Sequence, residues 1–107
     1  MDNPINLIKW LDENQLWKDK KTFKRNEYVS KENKVDRNLY FVEEGSLRVF
    51  INHEDEEKVI RFGYKNSIIV PLDSFITGKP THFTIQTIKK TTIKILDKTT
   101  LDRLIDS

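Results

Sequence analysis

Apolar residues near the amino terminus recur at the spacing of an α-helix. They are Ile5, Leu7, Ile8, Trp10 and Leu11. Residues three and four positions apart share one face of a helix, so these side chains form an apolar stripe. Asn3 suits the cap position, and Pro4 suits the first helical position because its missing N–H is not needed there. The pattern predicts an N-terminal helical segment over residues 1–17, with the helix ending near Asn14.

From about residue 22 the pattern changes to short runs rich in β-branched and aromatic residues, separated by polar turn clusters. Eight runs are predicted strands: residues 22–25, 27–32, 38–44, 46–52, 58–64, 67–70, 82–89 and 92–97. Apolar Leu47, Val49 and Ile51 alternate along one run, which gives that strand an inward and an outward face. Gly45 lies where a tight turn needs positive φ. The spacing is typical of β-sandwiches and barrels, so residues 22–97 are predicted to be mainly β.

The carboxyl-terminal residues return to a helical pattern. Leu101, Leu104 and Ile105 share a face, with Asp97 or Thr99 as the predicted cap. Residues 98–107 are therefore the predicted start of a C-terminal helix. The length of 107 residues, with 36% hydrophobic residues, fits one domain over 1–107.

Charge and composition exclude several classes of protein. The 19 basic and 17 acidic residues leave a net charge of +2, which provides no general attraction to nucleic acid or to an anionic membrane. There is no cysteine, so disulfides and cysteine-ligated metal sites are excluded. No run of eighteen apolar residues occurs, and the amino terminus lacks the features of a signal peptide. We expect a soluble cytoplasmic chain that does not enter the membrane.

Candidate catalytic and metal-binding residues are sparse. His53 and His82 do not form a metal-ligand motif, and Ser74 lacks the glycines of a nucleophile elbow. The acidic residues of 53–57 read as a solvated hairpin loop, and the basic cluster of residues 18–25 reads as a solvated surface that could touch phosphate. The sequence therefore predicts no catalytic residue and no metal site, and a protein that is not an enzyme.

The order of these pieces resembles a known family. The run 23–50 carries Asn26-Glu27, Glu32-Asn33-Lys34, Leu39-Tyr40-Phe41 and Gly45-Ser46 in the order of the first strands and turns of the cyclic-nucleotide-binding domain of the Crp/Fnr family, the catabolite activators and related bacterial transcription regulators. Asparagine can replace glycine at 26 and 33, since it tolerates the left-handed region. Residues 74–88 resemble the family's phosphate cassette, most closely in a divergent branch common in Bacteroidetes.

The resemblance implies a β jelly roll with a helix at each end and a hairpin-and-helix cassette that holds sugar and phosphate. A buried phosphate needs an arginine, and the ribose hydroxyl needs a carboxylate. Aligned on Thr77-Gly78-x-Pro80, the family's Glu falls on Leu72 and its Arg on Thr81. We therefore predict no tight binding of cyclic AMP or cyclic GMP. The candidate pocket residues are Leu72, Asp73, Ser74, Thr81, His82 and Phe83.

Three alternatives for ligand binding stay open. His82 could serve as a weaker anion partner, Asp73 could take the ribose, or the pocket could accept another small anionic ligand. The structural alternative is that His82 lies on the surface, Asp73 caps a helix, and Phe83 packs in the core.

No helix-turn-helix precedes Ser107, so we expect no direct DNA contact by this fragment. A small-molecule effector and a homodimer are possible partners; a ligand-free scaffold, acting in dimerisation or protein interaction, is the second interpretation.

Overall fold

The computed structural model describes residues 4–106, with two helices enclosing an eight-stranded β structure that also carries a short internal helix. In chain order the elements are α1 (Pro4–Glu13), β1 (Asp19–Phe23), β2 (Tyr28–Ser30), β3 (Asn38–Glu44), β4 (Ser46–His53), β5 (Glu56–Tyr64), β6 (Ile68–Ile69), α2 (Leu72–Thr77), β7 (Thr84–Thr87), β8 (Thr91–Asp97) and α3 (Lys98–Asp106). The Asn3 cap lies outside the described residues, but a helix does begin at Pro4.

Two antiparallel four-stranded sheets face each other. Their strand orders are β1-β8-β3-β6 and β2-β7-β4-β5. The core between them consists of Tyr40, Val42, Leu47, Val49, Ile69, Ile85, Ile93 and Ile95. Alternation along the strands places one side chain in two towards this core, as predicted for Leu47 and Val49. The mainly β jelly-roll fold with a helix at each end is thus confirmed.

The terminal helices cover only one of the sheets, the one that contains β1 and β3. Ile8 and Leu11 of α1 pack with Phe41 and Leu96 in a second apolar cluster, and Leu101 and Leu104 of α3 contact it. Leu7, Ile8 and Leu11 of the predicted stripe therefore face the outside of that sheet, whereas Trp10 is 40% exposed. Among the residues that the structure describes, no strand of the opposite sheet, β2-β7-β4-β5, contributes to this second cluster.

Several strand boundaries differ from prediction. β1 begins at Asp19, three residues early, because the polar run 19–22 pairs along the edge of β8. β7 is shorter than predicted and begins at Thr84, because the N–H of Phe83 bonds to the Thr81 hydroxyl at 3.0 Å rather than to a neighbouring strand. His82 and Phe83 therefore precede the strand.

The predicted tight turns have the expected backbone. Asn26 and Asn33 adopt φ of 64° and 69°, the left-handed region in which asparagine replaces glycine. Gly45 has φ of 104°, and a Cβ there would lie 2.5 Å from the hydroxyl oxygen of Thr91. Both features support the alignment of residues 26–46 on which the resemblance depends.

Of the two residues predicted to cap the C-terminal helix, the structure shows Asp97 in that role and not Thr99. The Thr100 hydroxyl donates to Asp97 Oδ1 at 2.7 Å, and Asp97 directly precedes α3. This hydrogen bond lowers the pKa of the Asp97 carboxyl, with a further contribution from backbone N–H groups.

Candidate functional site

The short helix α2 forms the centre of the candidate site. Pro71 precedes it, and Gly78 ends it with φ of 74°, while the Gly78 N–H donates to the Ser74 carbonyl at 2.8 Å. The Thr77 hydroxyl donates to the Asp73 carbonyl at 2.6 Å and accepts from the Lys79 N–H. Thr77 and Gly78 therefore end the helix and turn the chain back towards residues 81–83.

Asp73 joins α2 to the segment that precedes β7. Its Oδ1 accepts from the Thr81 hydroxyl at 2.8 Å, and its Oδ2 accepts from the His82 N–H at 2.8 Å. The ring nitrogen Nδ1 of His82 lies 3.1 Å from the same Oδ2. The N–H of Ser74 also bonds to Oδ1. The carboxylate thus has four contacts within the chain.

These contacts set the charge of the site. Burial raises the pKa of Asp73, but hydrogen bonds from the His82 N–H, the Thr81 hydroxyl and the Ser74 N–H outweigh it, so the pKa lies below its ordinary value. Asp73 is therefore an anion at neutral pH. A ligand phosphate placed beside it would meet a negative charge, whereas a ribose hydroxyl could donate to it only by displacing a present donor.

Ser74 takes a structural position on the other side of α2. It is completely buried, and its Oγ accepts from the Asp36 N–H at 2.7 Å. The Asp36 carboxylate is itself buried and accepts from the Tyr40 hydroxyl at 2.7 Å, from the Ser30 hydroxyl and from the Asn38 N–H. This chain of bonds fixes α2 against the segment between β2 and β3.

A polar cleft of about 330 Å³ opens over this buried carboxylate. Its lining residues are Tyr28, Val29, Ser30, Lys31, Lys34, Val35, Asp36, Asn38 and Tyr40. Sequence reasoning missed Asp36, because an aspartate between a turn and a strand is usually solvated. The one available signal is that Ser30 and Tyr40, which flank it in the chain, both carry hydroxyl donors.

The structure brings the polar groups of three of the six predicted pocket residues together, and the side chains of the other three point elsewhere. Asp73, Thr81 and His82 share one hydrogen-bond network, whereas Ser74 points towards Asp36. Phe83 packs against the core between the sheets, and Leu72 is exposed. The idea that Asp73 caps the helix is wrong: Pro71 occupies that position, and Asp73 lies in the first turn.

Among the described residues no lysine or arginine side chain forms an ion pair with Asp73, although Lys34 adjoins Thr81 and its carbonyl accepts from the Thr81 N–H at 2.9 Å. The side chain of His82 is 84% exposed, and Lys79 is exposed. Arg37 approaches α2 from outside the cassette segment, where its Nη2 donates to the Ile76 carbonyl at 3.4 Å and lies over Gly78. Its guanidinium thus covers the carboxyl end of α2 instead of facing Asp73.

Comparison with known proteins identifies the family. The family model of the cyclic nucleotide-binding domain matches residues 20–107. The chain belongs to this family. Among curated proteins no sequence matches it.

Solved structures of low sequence identity share the fold. CLP, the c-di-GMP responsive global regulator of Xanthomonas campestris, has a TM-score of 0.82 at 14% identity over 98% of this chain and 49% of its own. The Thermus thermophilus catabolite activator protein has a TM-score of 0.76 at 14% identity over 99% and 47%. The regulatory domain of Toxoplasma gondii PKA, crystallised with cAMP, has 0.72 at 18% over 79% and 32%. The chain thus spans half or less of each of these neighbours.

Within residues 4–106 no helix is long and apolar enough to cross a membrane. In the same residues no three histidine, aspartate or glutamate side chains are grouped as a metal site would require.

Proposed function

We propose that this cyclic nucleotide-binding domain is the cytoplasmic ligand-sensing part of a Crp/Fnr-type transcription regulator of the Bacteroidetes-like branch, and that it does not bind cyclic AMP tightly. The supporting observation is the charge of the cassette. Leu72 and Thr81 stand where the family's Glu and Arg would be, and the carboxylate of Asp73 occupies the space between α2 and residues 81–82. The domain has no catalytic role in this proposal.

Loss of the phosphate's charge partner is costly. A buried anion without a paired cation loses several kcal/mol, and each 1.4 kcal/mol corresponds to a factor of about ten in affinity. His82 offers the remaining ring nitrogen, because its Nε2 has no hydrogen-bond partner among the described residues and its side chain is 84% exposed. With the Nδ1–H directed at Asp73, Nε2 donates to an anion only in the protonated ring. A ligand of this site would be a small molecule with a weak anionic group and hydroxyl donors for Asp73.

Thermal unfolding in the presence of ligands tests this function. A ligand that binds only the folded state raises its stability by RT ln(1 + [L]/Kd). We expect no shift of the melting temperature with micromolar cyclic AMP or cyclic GMP, and a shift at millimolar concentration that His82→Ala and Asp73→Ala each reduce. Lys79→Ala is the matched control in the same loop and should respond like the original chain.

Two results would contradict the proposal. Saturation at micromolar cyclic AMP would show that the cassette binds tightly without the arginine. Absence of any shift with millimolar cyclic AMP, cyclic GMP or cyclic di-GMP would favour the second candidate, a ligand-free scaffold for dimerisation or protein interaction. The observation that favours this second candidate is that both oxygens of Asp73 already have donors from the chain itself.

A further inference from the structure

The sheet β2-β7-β4-β5 exposes aromatic rings on its outer face. Strand pairing places Tyr28, Gln86, Arg48 and Phe62 in one row. Arg48 alternates with core residues of β4, so this row faces away from the core. Tyr64 is two residues beyond Phe62 on the same face. The exposed fractions are 46% for Tyr28, 47% for Phe62 and 59% for Tyr64. We call these three residues the aromatic face.

Four turns meet at the end of the sheets nearest to the aromatic face. The Asn26 N–H donates to the Thr87 carbonyl at 3.1 Å, and the Ile88 N–H donates to the Ser46 carbonyl at 2.9 Å. Tyr64, which pairs with Ser46, leads into the turn after β5. The turns β1–β2, β3–β4, β5–β6 and β7–β8 are therefore neighbours.

These turns carry a concentration of positive charge, which we call the basic end. Its residues are Lys24, Arg25, Lys65, Lys89 and Lys90, and all five are exposed. Two carboxylates accompany them: Glu27 accepts from the Lys24 N–H, and Glu44 lies 3.8 Å from Lys65. Among the described residues the other four cations form no ion pair. The near-neutral composition therefore conceals a local excess of positive charge.

We propose that the aromatic face and the basic end together bind single-stranded nucleic acid. Every base has a flat π-face that stacks on an exposed aromatic ring, and lysine and arginine bind the phosphates. A four-stranded antiparallel sheet with exposed aromatic rings is a suitable platform for two or three unstacked bases. Tyr64 and Phe62, as alternate residues of one strand, are about 7 Å apart. The bases of a duplex are stacked on one another and cannot contact these rings.

The size of the face favours a strand over a folded protein. Four strands at about 4.8 Å spacing and six residues at about 3.4 Å give roughly 400 Å², whereas a stable protein interface needs about 800 Å² from each partner. A second copy of the chain packed face to face would thus bury too little surface. A strand of a few nucleotides needs only the rings and the neighbouring cations.

Fluorescence anisotropy with a fluorescein-labelled 12-nucleotide oligouridylate tests this proposal on the full chain at low salt. We expect a dissociation constant of about 1–100 μM. Contact with four phosphates gives a slope of about −3 in log K against log salt. Phe62→Ala with Tyr64→Ala should weaken binding about tenfold or more, and Lys89→Gln with Lys90→Gln should lower the salt slope by about 1.

Matched controls lie on the helices that cover the other sheet. Ile105→Ala, on α3, removes an apolar side chain that is 71% exposed, and Lys9→Gln, on α1, removes an exposed cation; neither should change binding. Circular dichroism establishes that each variant is folded. If the aromatic double variant does not fold, the double variant Lys89→Gln with Lys90→Gln alone tests the proposal.

Several results would overturn the proposal. The first is the absence of any anisotropy change up to 200 μM protein, and the second is unaltered binding by the lysine double variant. The third is that duplex RNA or polyglutamate competes as well as unlabelled oligouridylate does. Complete displacement by 1 mM cyclic AMP would also overturn it, because the strand would then occupy the candidate pocket. Apart from displacement by cyclic AMP, these results do not bear on the sensing function, which is measured separately by thermal unfolding with cyclic nucleotides.

Discussion

At the scale of single residues, Asp36 has the greatest structural consequence. Its buried carboxylate receives hydroxyl donors from Ser30 and Tyr40, and its N–H bonds to Ser74. Burial raises the pKa of the Tyr40 hydroxyl, and the negative charge of Asp36 raises it further. Tyr40 therefore remains a neutral donor over the ordinary pH range, and the carboxylate keeps its partner.

Asp36→Ala should lower the free energy of unfolding by about 3 kcal/mol, because it leaves the buried Tyr40 hydroxyl and the half-buried Ser30 hydroxyl without an acceptor. Tyr40→Phe should cost about 1 kcal/mol, the value of one hydrogen bond. Urea unfolding at pH 7 measures both. Asp106→Ala, at an exposed position of α3, is the control. A change below 0.5 kcal/mol for Asp36→Ala would show that water replaces the lost acceptor.

The turns show how residue types determine what a sequence can predict. Asn26, Asn33 and Gly45 were predictable because few residues tolerate positive φ, so their chemistry specifies the backbone locally. Asp36 was not predictable, because its burial depends on how β2, β3 and α2 pack around it, which the local sequence does not specify. The contacts of Asp73 with Thr81 and His82 depend in the same way on the return of the chain after Gly78.

At the scale of elements, an ion-pair cluster connects α1 to the sheet beneath it. Lys94 Nζ on β8 lies 2.5 Å from Asp12 Oδ1 on α1 and 3.3 Å from Glu43 Oε2 on β3. The Trp17 indole N–H also donates to Asp12, at 2.7 Å. Burial lowers the pKa of Lys94, but the hydrogen bonds and charges of Asp12 and Glu43 outweigh it and raise the pKa above its ordinary value.

Lys94→Met should destabilise the chain by about 1–2 kcal/mol at pH 7, because the two carboxylates then lose their shared cation. A raised pKa in the folded state means that this contribution is complete below the unfolded pKa of about 10.4 and is lost as pH rises through the folded pKa. The difference in the free energy of unfolding between Lys94→Met and the original chain, measured in urea, should therefore shrink above pH 10.5. Lys21→Met, on exposed β1, is the control. A constant difference up to pH 11.5 would mean that Lys94 acts by packing.

Element types were more predictable than element ends. The amphipathic stripe of α1 and the cap of α3 are local patterns, and eight strands were expected and found. The ends of β1 and β7 were misplaced because they depend on partners: Asp19 pairs with Ile95, and Thr81 takes the N–H of Phe83. Neither contact is visible from hydrophobic periodicity.

At the scale of the whole molecule, the carboxylates with altered pKa are distributed over the fold. They are Asp12 on α1, Glu43 on β3, Asp73 on α2 and Asp97 before α3. For the first three, burial raises the pKa but hydrogen bonds from lysine, backbone or hydroxyl donors lower it more. For Asp97 the hydrogen bond from Thr100 is the largest cause of the lowered pKa. Acid should therefore lower the stability of the contacts of α1, α2 and α3 over the same pH range.

Linkage determines how the free energy of unfolding changes with pH. A carboxyl whose folded pKa is lowered stabilises the fold above its unfolded pKa of about 4, and this stability is lost as pH falls through the folded pKa. We expect the free energy of unfolding, measured in urea, to fall steeply between pH 5 and pH 2.5. Asp73→Asn with Asp97→Asn should reduce this slope, because the two groups no longer take up protons on unfolding. Glu54→Gln, in the exposed turn between β4 and β5, should leave it unchanged. Equal slopes for all three proteins would assign the acid sensitivity to Asp12 and Glu43, whose contacts with Lys94 would then dominate the acid response.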